Sequence, residues 1–202
     1  MNINKLAVVG LLAAAAATAH ANLLTNGGFE AGTSGWTSSG MTCSGAGPNS
    51  SVATGGCVGI DTDPGAHSGV NAMYFGTAAV GGGSFSQVLA TTAGATYTVD
   101  FWLANGTFGG TSTPNDLLVE FAGQTLLSLT NVAAFGYGHY SYQVIASGAS
   151  STLQFTSRQQ PSFWVLDDVS VVPEPASLAL VGLALAGLGL STRRRQGPAI
   201  AA

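Results

Sequence analysis

The chain has 202 residues, of which 46% are hydrophobic and only 7% are charged, and its formal net charge at pH 7 is −4. Its length suits a single domain with a sizeable core. Residues 22–172 hold one positive side chain, Arg158, against eight Asp and Glu residues, which leaves about seven uncompensated negative charges in this part. Such a balance argues against nucleic acid and anionic lipid as partners, because both require clustered positive charge.

The first residues have the pattern of a secretory signal peptide. A lysine precedes a short apolar stretch, and Ala19 and Ala21 supply small residues at the two positions that a signal peptidase reads. We therefore predict a signal peptide at residues 1–21 and a mature protein that begins at Asn22. The alternative, an N-terminal transmembrane anchor, requires a longer apolar run. No cysteine lies near the cleavage site, which argues against a lipoprotein.

The chain contains two cysteines, Cys43 and Cys57, in a stretch rich in Gly and Ser. In an oxidising compartment, two cysteines this close in sequence predict one disulfide that closes a loop without periodicity of its own. Metal binding is the alternative, but no third or fourth soft ligand lies nearby.

The body alternates apolar and polar residues with period two and lacks helical patterning. Tyr97, Val99 and Phe101 fall on one face of a predicted strand, for example, and Asp100 and Trp102 fall on the other. Short strands separated by Gly and Asn turns predict an all-β antiparallel sandwich over residues 22–172, either a jelly roll or an immunoglobulin-like fold. The predicted strands lie at residues 23–24, 72–75, 84–89, 97–103, 117–121, 140–144, 153–155 and 163–171.

The body offers no evident catalytic constellation. Asp100 and Glu120 could serve a glycosidase if they faced one cleft, although two carboxylates on neighbouring strands usually belong to a solvated face. His67 follows Asp61 and Asp63 in a turn-rich loop. These three residues could bind a metal ion together, but an ordinary polar loop is the more common interpretation of such a sequence. His139 lies at a strand entry without an evident partner. The prediction is that the protein is not an enzyme.

The C-terminal part has three consecutive features. Val172-Pro173-Glu174-Pro175 is followed by an apolar run at residues 177–190 and then by Arg193, Arg194 and Arg195. The prolines should end the preceding strand, because they cannot donate backbone hydrogen bonds. Counted from Ala176 to Thr192, the uncharged segment just reaches the roughly 17 residues that a single transmembrane helix needs, and the arginines would hold its end at the cytoplasmic face. The alternatives are an ordinary tail anchor and a buried amphipathic helix.

This arrangement resembles the PEP-CTERM sorting signal of Gram-negative bacteria, here at residues 173–195 with a short tail at residues 196–202. The resemblance implies export across the inner membrane and transient anchoring through the hydrophobic helix. It also implies that an exosortase recognises the signal and removes the helix near Pro173, Glu174 and Pro175. The expected destination is the cell surface or an extracellular matrix of exopolysaccharide or biofilm.

The two ends of the body resemble galactose-binding-type jelly rolls of the carbohydrate-binding-module kind. The resemblance rests on residues 22–30, on Gly35-Trp36 and on residues 163–171, and residues 86–89, 94–99 and 101–102 in the middle of the body also fit it. It favours the jelly roll over the immunoglobulin-like sandwich. It implies that the first and last strands run side by side.

The same resemblance implies a structural calcium ion between Glu30 and Asp167 or Asp168, with backbone carbonyls near Gly27 and Gly28. Hard oxygen ligands on adjoining strands suit calcium. The alternative is that Glu30 caps a turn and the two aspartates face solvent. No other cofactor is expected.

Sugar sites stack pyranose faces on exposed aromatic rings, and the candidates are Trp36, Trp102, Tyr137 and Trp164. Sandwich cores also consume such rings, because each ring buries a large apolar area. Three functions therefore compete. The first is a structural or interaction role at the surface or in the matrix, the second is a glycan-binding module, and the third, with least support, is a secreted glycoside hydrolase.

Overall fold

The computed structural model describes residues 21–40, 51–53, 56–59, 65–77, 81–106, 113–159 and 162–174. Within these ranges the chain forms strands and turns and no helix. The strands are β1 (Thr37–Ser39), β2 (Ser51–Ala53), β3 (Gly56–Gly59), β4 (Ala72–Phe75), β5 (Gly83–Ala90), β6 (Thr96–Asn105), β7 (Asn115–Phe121), β8 (Gln124–Thr130), β9 (Phe135–Ile145), β10 (Ser150–Gln159) and β11 (Trp164–Pro173).

The strands form two antiparallel sheets, which confirms the predicted jelly-roll sandwich. The five-stranded sheet has the order β1-β5-β10-β7-β8, and the six-stranded sheet has the order β2-β3-β4-β11-β6-β9. The sandwich belongs to one compact unit, Ala21–Pro173. β11 ends at Pro173, as the missing donor of that residue predicts.

The core lies between the sheets and is rich in phenylalanine. Phe85 of β5 and Phe155 of β10 meet Phe75 of β4 and Phe101 of β6 from the opposite sheet, with ring centroids 5.4–6.3 Å apart between the contacting pairs. Alternation along β6 buries Tyr97, Val99, Phe101 and Leu103, whereas Asp100 and Trp102 point outwards. The predicted faces of this strand are confirmed.

The N-terminal segment runs beside β11, as the resemblance implied, but it bends and does not form the predicted strand at residues 23–24. Leu23 donates its N–H to the Val171 carbonyl (2.9 Å), and Val169 donates to the Gly27 carbonyl (3.0 Å). The side chain of Asn22 supplies a further acceptor, because its Oδ1 accepts the N–H groups of both Leu24 and Val171. A side-chain oxygen therefore accepts backbone N–H groups that the carbonyls of a neighbouring strand would otherwise accept.

β8 is absent from the sequence-based predictions. It forms a hairpin with β7 through Ala122 and Gly123, whose φ angles are 50° and 77°. The adjacent Leu126 and Leu127 break period-two alternation, and both stay partly buried because the register shifts between Val119 and Glu120. The bulge thus breaks the period-two alternation from which a strand is predicted.

Several predictions fall outside the described residues. They are the signal peptide, the pairing of Cys43 with Cys57, the apolar C-terminal run and the arginine cluster. Along the described ranges, no helix combines the length and apolar character that a membrane span requires.

Candidate functional site

Asp167 holds a loop, residues 65–71, against the outer face of the six-stranded sheet. Its Oδ2 accepts the N–H groups of His67 (2.8 Å) and Ser68 (3.0 Å), and its Oδ1 accepts the N–H of Asp168 (2.7 Å). Asp167 is completely buried. Burial raises the pKa of its carboxyl group, while the bonds from the Ser68 and Asp168 amides oppose that shift.

Asp168 holds the same loop through side chains. Its Oδ2 lies 2.6 Å from His67 Nδ1, and its Oδ1 accepts the Ser68 hydroxyl at 2.6 Å. Neighbouring residues of a strand normally point to opposite faces. Here the register between β11 and β6 shifts between Asp167 and Ser170, and Asp168 has a φ of 49°, so both carboxylates reach one loop.

Glu30 holds the far end of the loop. Its Oε1 accepts the N–H groups of Val70 (2.8 Å) and Asn71 (3.0 Å). These bonds lower the pKa of Glu30, with the Asn71 amide as the larger cause, and the nearby charge of Asp168 opposes the shift. Gly69 makes this contact possible, because a Cβ at Gly69 would overlap the Glu30 carboxylate.

Trp102 lies beneath this loop and carries two imidazoles. The His67 ring stacks on it at 3.8 Å and 16°, and the His139 ring stacks at 5.0 Å and 28°. His139 Nε2 also lies 3.2 Å from Asp100 Oδ1, so the expectation that this histidine lacks a partner is wrong. Tyr137 donates its hydroxyl to the Gly65 carbonyl at 2.8 Å, and burial raises its pKa.

The structure therefore brings together two of the predicted sugar-binding rings, Trp102 and Tyr137, and both are half-buried. The prediction for Trp164 is wrong, whereas Trp36 is also half-buried and stays a prediction. Trp164 is completely buried in the core, and its Nε1 donates to the Asp116 carbonyl at 3.2 Å. Trp36 packs on the core through Phe85, with ring centroids 4.3 Å apart, and donates its Nε1 to the Asn26 carbonyl.

Glu30, Asp167 and Asp168 do lie around one loop with Gly28 beside them, as the resemblance implied. Their oxygens are chemically suited to calcium. In this arrangement, however, they accept hydrogen bonds from the loop, and the described residues contain no group of three or more His, Cys, Asp or Glu arranged to hold a metal ion. The calcium site stays a prediction.

Asp100 and Glu120, the carboxylates considered for hydrolysis, lie on different sheets. Asp100 is on β6 of the six-stranded sheet and Glu120 is on β7 of the five-stranded sheet. Each points away from the core, because the residues beside it in the strand, such as Phe101 and Val119, are buried. They face opposite sides of the sandwich and cannot share a cleft.

A groove opens on the outer face of the five-stranded sheet, where β10, β7 and β8 lie side by side. Its volume is about 330 Å³, at the lower end of the roughly 300–1,000 Å³ that small-molecule sites occupy. The pairing of the strands sets two rows of side chains across it. The first row is Arg158, Asp116 and Thr130, and the second row is Thr156, Leu118 and Ser128.

An ion pair forms the polar centre of the groove. Arg158 Nε and Nη2 both contact Asp116 Oδ2, at 3.0 and 2.8 Å, and the two side chains keep 40% and 39% of their surface exposed. Gly82 also lines the groove, and its lack of a side chain lets the chain lie against the Ser157 carbonyl, 2.7 Å from where a Cβ would stand. Sequence reasoning missed this site, since Arg158 and Asp116 are 42 residues apart and only strand pairing makes them neighbours.

No match was found among curated protein sequences. Among solved structures, the chain is similar to TmCBM61 in complex with beta-1,4-galactotriose, with 20% identity and a TM-score of 0.51 over 76% of this chain and 99% of that one. It is also similar to the enzymatically active domain of bacteriophage CBA120 tailspike protein 4, with 14% identity and a TM-score of 0.54 over 76% of this chain but only 21% of that one. A carbohydrate-binding module titled CBM4 aligns over 75% of this chain and 99% of its own length, with 14% identity and a TM-score of 0.46.

These likenesses concern the fold of the body. The C-terminal part is matched separately, because residues 171–195 fit the model of the PEP-CTERM protein-sorting motif. The predicted sorting signal is thereby confirmed, and with it export followed by membrane anchoring and processing. The chain joins a PEP-CTERM sorting signal to a jelly-roll body with the fold of carbohydrate-binding modules.

Proposed function

We propose that this chain is a non-catalytic glycan-binding protein of a Gram-negative bacterium, which an exosortase delivers to the cell surface or to an exopolysaccharide matrix. The observation that carries the proposal is the groove on the outer face of the five-stranded sheet. Its two rows present an ion pair and the hydroxyls of Thr130, Thr156 and Ser128 on rigid strands. Side chains fixed on strands hold a ligand more accurately than side chains on loops.

The chemistry of the groove favours binding over hydrolysis. Glycosidases need two carboxylates that flank the scissile bond. Asp116 is the only acidic side chain among the described residues that line the groove, and it is engaged by Arg158. The separation of Asp100 from Glu120 on opposite faces supports the same conclusion.

The rings of Trp102, His67, His139 and Tyr137, here called the Trp102 cluster, are a weaker candidate for the sugar site. The His67 ring lies only 3.8 Å from the indole, so it occupies the place where a pyranose would stack. Three carboxylates hold the loop that carries His67. This cluster therefore supports the sheet by fastening the loop.

The proposal is tested by affinity electrophoresis of the mature protein in gels that contain polysaccharide extracted from the matrix of the producing cells. We expect retardation relative to a gel without polysaccharide, and none for serum albumin run beside it. Unchanged mobility in every extract would refute glycan binding.

Processing is tested by intact-mass analysis of protein recovered from cells with and without the exosortase. We expect a chain that begins at Asn22 and has lost the segment after Pro175 when the exosortase is present. Recovery of a chain that retains Arg193, Arg194 and Arg195 from exosortase-containing cells would refute the delivery route.

A further inference from the structure

We infer that the groove selects neutral glycans with adjacent hydroxyl groups and that the Asp116–Arg158 pair reads them. This inference rests on the proposed function and names its ligand class. It is based on the hydrogen-bond donors and acceptors of this ion pair, on the threonine and serine hydroxyls around it, and on the negative charge of residues 22–172.

The ion pair is only partly satisfied by its own contacts. Arg158 has five N–H groups, and its Nε and Nη2 are directed at Asp116 Oδ2. The remaining N–H groups and Asp116 Oδ1 have no partner among the described residues. A strong donor and a strong acceptor therefore lie side by side at the exposed centre of the groove.

This pattern matches two adjacent sugar hydroxyls. A hydroxyl both donates and accepts, so one can accept from Arg158 while its neighbour donates to Asp116. Hydrogen bonds to charged groups are about twice as strong as neutral ones. The hydroxyls of Thr130 on one side and Thr156 on the other extend the same chemistry along the groove.

The same pattern disfavours acidic sugars. A uronate carboxylate only accepts hydrogen bonds, so it would satisfy Arg158 but would place a second negative charge beside Asp116. Arg158 is also the only cation in residues 22–172, against eight acidic residues. A polyanion would meet repulsion from the whole body without a compensating basic patch.

The test compares mature wild-type protein with Asp116→Asn, Arg158→Gln and a matched control, Glu120→Gln. Glu120 lies on the same strand and the same face as Asp116 but does not line the groove. The probes are neutral polysaccharides (galactan, mannan and dextran) and acidic ones (alginate and polygalacturonate), at low and high salt. Thermal melting of each variant shows that it is folded.

We expect the wild type and Glu120→Gln to bind at least one neutral polymer with little dependence on salt. Asp116→Asn and Arg158→Gln should each lose about tenfold or more in affinity, as for a charged hydrogen bond, without a large change in melting temperature. Binding to the acidic polymers only, or neutral binding that survives both groove substitutions, would overturn the inference while leaving glycan binding intact. Failure to bind any polymer, the producing cells' own polysaccharide included, would instead refute the proposed function itself.

Discussion

Replacing Gly69 by alanine should destabilise the protein more than the same replacement at Gly94. Both glycines have a left-handed backbone, with φ angles of 61° and 79°. An alanine in that conformation costs about 1–2 kcal/mol at either position. The surroundings differ, because a Cβ at Gly94 would meet no atom within 4 Å, whereas a Cβ at Gly69 would overlap Glu30 Oε1 and stand 2.7 Å from its Cδ. Gly94→Ala is therefore a matched control for backbone strain.

The difference between the two variants measures the contact with Glu30. For a domain of this size, a loss of 1 kcal/mol lowers the melting temperature by roughly 2–4 °C, so Gly94→Ala should lower it by about 2–8 °C. Gly69→Ala should lower it further, because the Glu30 carboxylate must leave the N–H groups of Val70 and Asn71. In a Glu30→Ala background, the cost of Gly69→Ala should fall to that of Gly94→Ala.

The assay is thermal unfolding of the mature protein at neutral pH, followed by circular dichroism, for the wild type, the three single variants and the Gly69/Glu30 double variant. A double-mutant cycle isolates the coupling between the two positions. Equal costs for the two glycine substitutions would refute the reasoning. A cost at Gly69 that does not change when Glu30 is removed would refute it as well.

Three other predictions follow from the same contacts. Trp164→Phe should lower the melting temperature well beyond Trp102→Phe, because only Trp164 is completely buried and donates a hydrogen bond within the core; equal melting temperatures would contradict this. Backbone hydrogen bonds lower the pKa of Glu30 below its ordinary value of 4.5, so its contribution to stability is present above that pH and is lost as the pH falls through the lowered pKa. Acid titration of Glu30→Gln should therefore show a smaller loss of stability than the wild type, whereas an identical loss would exclude this role. If calcium binds near Asp168, calorimetric titration of the chelator-treated protein should give heat and a higher melting temperature; no heat and no shift would remove the calcium prediction.

Local patterns account for most of the strands. Period-two alternation places β5, β6 and β7 correctly, because over most of each strand one face is buried and the other is more exposed. All four residues of β4 are buried, so alternation does not account for that strand. The pattern fails on β11, where Trp164 and Val165 are both buried. This strand is central in its sheet, and the loop at residues 65–71 covers its outer face. Residues on both faces of β11 are therefore buried.

The candidate sites were less accessible to sequence reasoning. Alternation along β6 predicts correctly that Trp102 lies on the outer face, but its partner His67 comes from a loop whose position depends on Asp168, 101 residues away in the chain. The sequence does not predict the groove, because alternation within a strand does not show that β7 pairs with β10. Pairing between distant strands is decided by how the whole core packs.

The sequence by itself determined the route of this protein and the class of its fold. The sorting signal is a contiguous motif at residues 171–195, and strand alternation is a property of neighbouring residues. Both can therefore be recognised without knowing which strands pack against each other. Only the tertiary structure decided which aromatic rings are core, which carboxylates fasten a loop and where a groove opens. The reason is physical, since each of those features joins residues that are far apart in the chain, and they become neighbours only when the two sheets close on a common core.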